Sequence, residues 1–161
     1  MTQPVEYITR ITDNYAKLGY KPYQWVSNSA TPPWTPLRKP LSQCRLGLVA
    51  SGGIYATGQV AFHFKDDVSF RAIPTTINTF ELRTAHFAYD QTDARKDPNV
   101  VFPLDTLRGL VNEGVVGSLA EHFLTFMGGV YSSRRVAEEL APRLTESLLA
   151  ERVDVALLVP V

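Results

Sequence analysis

Cysteine is almost absent from this chain: Cys44 is the single thiol in 161 residues. One thiol excludes a disulfide framework within the chain and any zinc site built on paired cysteines. A lone cysteine of this kind reads as a small buried hydrophobe. Long apolar runs are missing too, and none approaches the roughly 20 residues that span a bilayer. The N-terminal MTQPVEYITRITDNY carries charge and no apolar centre, so it does not read as a secretory signal. Neither sign of charge is in excess, because 16 basic and 16 acidic residues cancel. Nothing in that balance draws the chain to nucleic acid or to a membrane surface. The expectation is a cytoplasmic protein with neither as a partner. Phosphate-binding glycine motifs, a nucleophile elbow and internal repeats are also missing.

What is present is enough apolar material for a core: 45% of the residues are hydrophobic. The expectation is a single α/β domain over residues 1–161, with an N-terminal helix and wrapping arm in 1–40 and a core in 41–161. Val5, Ile8, Ile11, Tyr15 and Leu18 recur at helical spacing, and Gly19 is a plausible stop. Five prolines and two tryptophans then fall between residues 20 and 40. This stretch reads as an extended Pro/Trp-rich arm pinned by Trp25 and Trp34, since proline forbids helix and disordered segments are poor in aromatics.

Leu46, Leu48 and Val49 form a short strand running into Ser51-Gly52-Gly53. IYATGQVAFHF reads as a loop or short strand, DDVSFRAIP as a loop and strand start closed by Pro74, ELRTAHFAY as a strand, and DQTDARKDPN as a surface loop. Helices are expected at FPLDTLRGLVNEG, at GSLAEHFLTFMGG, where Ser118 and Glu121 stand at capping-box spacing, and at SSRRVAEELAPRLTESLLAERV. A kink or restart is expected at Pro142. The closing run DVALLVPV reads as a strand buried on both faces, because it is apolar without alternation. Strand, turn, helices, strand is an α/β order, and the expected architecture is a layered, mostly parallel sheet with helices on both faces. In such sheets ligands gather at the carboxyl ends of the strands. Ser51-Gly52-Gly53 and Pro160-Val161 both belong to that edge.

The residues with chemistry are few. Ser51, Gly52 and Gly53 are candidates to line a substrate, and Arg71 can clamp a carboxylate or pair with Asp66 or Asp67. His86, Asp90 and His122 are candidate helpers that hold a proton or an amine. His63, His86 and His122 allow a metal-enzyme reading, but their spacing matches no ligand signature, and the expectation is no metal. Local motifs alone name no activity.

Five stretches together carry a resemblance: LVASGGIY, KDDVSFRAIP, TAHFAYDQTDARKDPNVVFPLDTLRGLVNEGVVGSLA, HFLTFMGGVYSSRRVAEELAP and VDVALLVPV. Residues 5 to 161 resemble the selenoprotein B family of glycine, sarcosine, betaine and D-proline reductases, most specifically over Phe87 to Gly129. D-x-N-x-V-F-P-L-D, from Asp97 to Asp105, is close to a family signature. The resemblance implies reductive cleavage of a carbon–nitrogen bond in a small amino-acid-like substrate. It implies a selenocysteine or cysteine nucleophile with a resolving thiol, and a pyruvoyl-type partner subunit or a homo-oligomer. Selenocysteine is expected in the full-length family member, and no cofactor in this chain. In the short relatives the Sec/Cys-x-x-Cys motif directly follows the strand matching LLVPV, so the nucleophile is expected just after Val161. The expectation is a C-terminally truncated core: selenocysteine is encoded by UGA, and a UGA read as termination would end the chain there. The rival reading is a non-catalytic binding or assembly subunit.

Overall fold

The computed structural model describes residues 4–22 and 26–161. The chain divides into two units, Met1–Trp34 and Thr35–Val161. The first holds α1 (Tyr7–Lys17), which ends short of Gly19. Trp25, one of the two expected anchors of the arm, lies outside the described residues. Trp34 is 85% exposed, so it supplies no buried anchor.

The second unit runs β1 (Arg45–Ala50), β2 (Ile54–Ala56), β3 (Phe70–Pro74), β4 (Leu82–Thr84), α2 (Thr92–Lys96) and α3 (Leu104–Asn112). It continues through β5 (Ser118–Leu119), β6 (His122–Phe126), α4 (Ser133–Arg135), α5 (Ala141–Ala150) and β7 (Val155–Val159). β1 is the central strand. β5 and β6 run parallel along its length, pairing Arg45 with Ser118 and Val49 with Leu124. β7 is parallel to it in continuous register, Leu46 with Val155 through Ala50 with Val159. The carbonyls of Cys44 and Leu46 accept from Ser118 and Ala120, whereas that of Arg45 accepts from Asp154. Alternate carbonyls point opposite ways along a strand, so β7 and β5 lie on opposite edges of β1. β3 closes the far side antiparallel to β6, and β2 and β4 form a separate antiparallel pair. The fold is mixed α/β with a mostly parallel sheet.

Two apolar clusters follow from the alternation of β1. Leu46, Leu48 and Ala50 pack with Phe102, Leu104, Leu107 and Phe123. Phe102 and Phe123 meet edge to face at 6.0 Å, a favoured aromatic geometry. Val49 packs instead with Leu124, Leu140 and Leu144.

Three local expectations change, and the restart expected at Pro142 is met. The run from Ser118 to Phe126 is β5 and β6, not a helix. Leu119, Phe123 and Phe126 fit a helical period, but Phe123, Leu124 and Thr125 are all buried, as consecutive residues of a strand covered on both faces must be. DQTDARKDPN contains α2, whose five residues are too few to show a period. The Asp90 carboxylate accepts from the Thr92 amide and hydroxyl at its start. A π-helical segment, Val136–Leu140, precedes α5. The restart puts Pro142 in a first turn, where its missing donor costs nothing. Finally, β7 is not buried: Leu158 is 68% exposed and Leu157 38%. β7 pairs only with β1 among the described residues, so its apolar run reflects an edge rather than a centre.

Gly53 sits at a left-handed φ of +68°, and a Cβ there would overlap the Ala85 carbonyl oxygen. Gly109, inside α3, has open space around it. Denaturant unfolding should therefore separate them: Gly53→Ala loses about 2 kcal/mol or more, and Gly109→Ala gains up to about 1 kcal/mol.

Candidate functional site

Ser51 leaves β1 with three of its atoms engaged. Its amide donates to the Val159 carbonyl, its carbonyl accepts from Gly128, and its Oγ accepts the Val161 amide at 2.9 Å. The Gly53 amide donates to Phe126 and its carbonyl accepts from Ala85. The Gly52 carbonyl accepts two hydroxyls, Thr84 Oγ1 at 3.1 Å and Tyr89 Oη at 2.9 Å. Ser51, Gly52 and Gly53 thus join the ends of β1, β6 and β7 to the segment after β4. At Gly52 a Cβ would meet Val101, which keeps the backbone close there.

Beside this junction lies a cavity of about 240 Å³ lined by Phe62, His63, Thr84, His86, Phe87, Gln91, Arg95 and Met127 among others. A water's share of liquid volume is about 30 Å³, so this is room for a small metabolite only. His86 Nδ1 accepts the Ala88 amide at 3.0 Å, which assigns the proton of the neutral ring to Nε2. That Nε2 is buried with no hydrogen-bond partner among the described residues. Burial pushes the His86 pKa below the ordinary imidazole value. Its ring packs against Phe87 and Tyr89, at centroid distances of 5.9 and 4.7 Å. Gln91 donates to the His86 carbonyl, fastening this segment to α2.

The other sequence candidates lie elsewhere or are otherwise engaged. Arg71 donates to the Val60, Ala61 and Phe70 carbonyls and to Ser69 Oγ, and its guanidinium lies 4.3 Å over the Phe62 ring. It braces a cavity wall. Of the two partners weighed for it, Asp66 accepts the Tyr131 amide, while Asp67 accepts the His63 and Ser69 amides and the Ser69 hydroxyl, which in turn accepts from Arg71. Asp90 is held ionised by the Thr92 hydroxyl and amide and forms the turn before α2. His122 opens β6 at the opposite, amino edge, about 13 Å of strand away from Phe126. There its Nδ1 pairs with Glu151 Oε1 at 2.9 Å. His63 and His86 share the cavity while His122 does not, and no cluster of three His, Cys, Asp or Glu placed to hold a metal occurs among the described residues. Cys44 is buried at the amino edge, its thiol donating to the Pro40 carbonyl at 3.4 Å.

The model of the glycine/sarcosine/betaine reductase selenoprotein B family matches residues 21–160. The chain belongs to the selenoprotein B family. D-proline reductase subunit gamma of Acetoanaerobium sticklandii is 36% identical over 130 residues, 80% of this chain and 54% of that protein. Glycine reductase complex component B subunit gamma of Symbiobacterium thermophilum is 31% identical over 144 residues, 84% of this chain and 32% of that protein. Sarcosine reductase complex component B subunit beta of Peptoclostridium acidaminophilum is 29% identical over 128 residues, 71% of this chain and 28% of that protein. The chain spans about half the length of the first relative and about a third of the other two. No solved structure matches it.

The stretch from Asp97 to Asp105 is scaffold chemistry in this chain. Asn99 Nδ2 donates to Asp97 and Asp105, and its Oδ1 accepts the Asp105 amide in the first turn of α3. Asp105 pairs with Arg108 at 2.7 Å, and Arg108 donates to the Thr75 and Ile77 carbonyls. Its apolar members Val101, Phe102 and Leu104 are buried in the core. Arg95 and Gln91, by contrast, line the cavity from a stretch that reads as loop in the sequence. Their position within the family-like block was the only signal for them. No helix among the described residues is long and apolar enough to cross a membrane.

The half-buried His86 titrates below the unfolded imidazole value of about 6.5. Between the two values the unfolded state binds more protons, so the neutral ring's contribution to stability is complete above pH 6.5 and is lost as pH falls toward the folded value. NMR titration should give His86 a midpoint under 6.5. A His86→Gln variant should show a flatter fall in stability on acidification.

Proposed function

We propose that this chain is the selenoprotein-B-type portion of a reductase component acting on a small amino-acid-like substrate, with the cavity at the carboxyl edge as its substrate side. The observation that carries the reading is the convergence of Ser51–Gly53, Met127 and the end of β7 beside a cavity containing an orphaned buried donor, His86 Nε2. Reductive cleavage of a C–N bond consumes two electrons and two protons, which oxidation of a selenol–thiol or dithiol pair to a selenenyl sulfide or disulfide supplies.

The residues at this edge fit such a pair. Glycine at 52 keeps the backbone close to the end of β7 and Val161, and the neutral His86 ring holds a proton at Nε2 without placing a second positive charge there. Cys44 does not fit, because its buried thiol stands at the other end of β1, about 23 Å of strand away. His86 Nε2–H is the donor that holds the substrate, the proton for the departing amine comes from the selenol–thiol or dithiol pair, and Ser51, Gly52 and Gly53 tie the strand ends together beside the cavity. Asp90 and His122 are too occupied by Thr92 and Glu151 to share that role. The layered architecture, with α3 and α5 on opposite faces of the sheet, is supported by the two apolar clusters on alternate residues of β1. The relatives are named as subunits of reductases, which supports a partner subunit, here of pyruvoyl type, or a second copy.

The test is NMR titration of the chain with glycine, sarcosine, betaine and D-proline. At least one should shift the His86 and Met127 side-chain signals saturably. No shift with any of the four sinks the reading.

A second reading, a non-catalytic assembly subunit, is favoured by the exposed apolar Leu158 on the edge strand. Under it, sedimentation should show oligomers that Leu158→Lys reduces to monomer. A monomeric wild-type chain removes this reading.

A further inference from the structure

The charge around the carboxyl-edge cavity is one-sided. Arg95 and two histidines line it, with Gln91 and Thr84, and no Asp or Glu is among its lining residues. Arg95 forms no ion pair with a carboxylate among the described residues; its single side-chain bond there is a long one, 3.4 Å, to Gln91 Oε1. The other arginines nearby are spent: Arg71 on loop carbonyls, Arg108 on Asp105 and two carbonyls, Arg135 on Glu139 and the Asp66 carbonyl. A guanidinium with open donors beside a small cavity and a buried orphan N–H is an arrangement for an anion.

We propose that Arg95 and the Nε2–H of His86 form a carboxylate cradle, with Gln91 as the positioning residue between them. The carboxylate-binding role read from the sequence for Arg71 passes to Arg95. Gln91 links the two donors through opposite ends of one amide, Oε1 accepting from Arg95 and Nε2 donating to the His86 carbonyl. The cradle suits a monocarboxylate of a few carbons: the cavity holds about 240 Å³, below the roughly 300 Å³ at which drug-sized pockets begin. His86 Nε2 is closed off from water, so the carboxylate reaches it by displacing the half-exposed Phe87 ring, which packs on His86 and stacks on Tyr131 at 6.5 Å. With its carboxylate on Arg95 and His86, an amino acid directs its amine away from the guanidinium. The inference rests on the reading that this cavity is the substrate side.

Acetate is the probe, because it carries the carboxylate without the amine. Titrated into the whole chain, it should shift the His86 side-chain signals saturably, and equimolar chloride should not. Arg95→Gln should weaken acetate binding by about 10-fold or more, the usual cost of losing a hydrogen bond to a charged group. Arg95→Lys should retain part of it, as a point charge without the fork. Arg95 is exposed, and unchanged thermal midpoints would show that both variants fold. Acetate binding that is equal in wild type and Arg95→Gln, or matched by chloride, overturns the cradle. The two readings fail separately. If glycine, sarcosine, betaine and D-proline bind equally to wild type and Arg95→Gln, the cradle is wrong and the substrate reading stands. If acetate binds through Arg95 and none of the four amino compounds binds, the cradle stands and the substrate reading falls.

Discussion

The second unit hangs on the exit of β1. Three consecutive residues, Ser51, Gly52 and Gly53, hold the ends of three parallel strands and one crossing segment by backbone hydrogen bonds and two small contacts. Ser51 binds Val159, Val161 and Gly128, Gly53 binds Phe126 and Ala85, and Gly52 receives Thr84 and Tyr89. Such a junction tolerates little bulk. A Cβ at Gly52 would meet Val101, and one at Gly53 would meet the Ala85 carbonyl. Because β1, β6 and β7 are parallel, they deliver their carboxyl ends to one edge, and the junction gathers loops where a ligand can be surrounded.

The two edges of the sheet have divided the polar chemistry between them. At the amino edge a polar groove of about 620 Å³ is lined by residues that largely satisfy one another. Lys39 pairs with Asp154, Arg45 donates to the Glu151 carbonyl, and Glu151 binds both the amide and ring of His122. At the carboxyl edge the cavity keeps, among the described residues, an unsatisfied imidazole nitrogen and an arginine without a carboxylate. Paired charges contribute little beyond geometry at a surface, whereas a buried unpartnered donor costs free energy that a native fold rarely tolerates without a role for it. That asymmetry, more than cavity size, directs attention to the carboxyl edge.

Much of this was legible in the residues. The strand into Ser51-Gly52-Gly53, the helix after Pro103 and the break at Pro142 follow from local rules: apolar runs, a proline that lacks a donor, a glycine that admits a left-handed φ. The family block from Phe87 to Gly129 contains Gln91 and Arg95, which line the cavity. What local rules missed has a common cause. Leu119, Phe123 and Phe126 suit a helix as well as a buried strand, and only pairing with β1 and β3 decides between them. Arg71 looked like a free clamp because its carbonyl partners at Val60 and Ala61 lie ten or more residues away. Arg95 looked like loop charge because its cavity is made by Phe62, His86 and Met127 from three other segments.

The sequence by itself determined which chemistry is available: one buried thiol, no charge bias, and a block that belongs to the selenoprotein B family. It also determined the turns and caps, since those depend on neighbours within a few residues. Tertiary structure alone decided which arginine keeps free donors, which histidine keeps a buried ring nitrogen without a partner, and that β7 is an exposed edge, all among the described residues. Those properties depend on what packs against each group from distant parts of the chain, and local residue types do not encode who the neighbours will be.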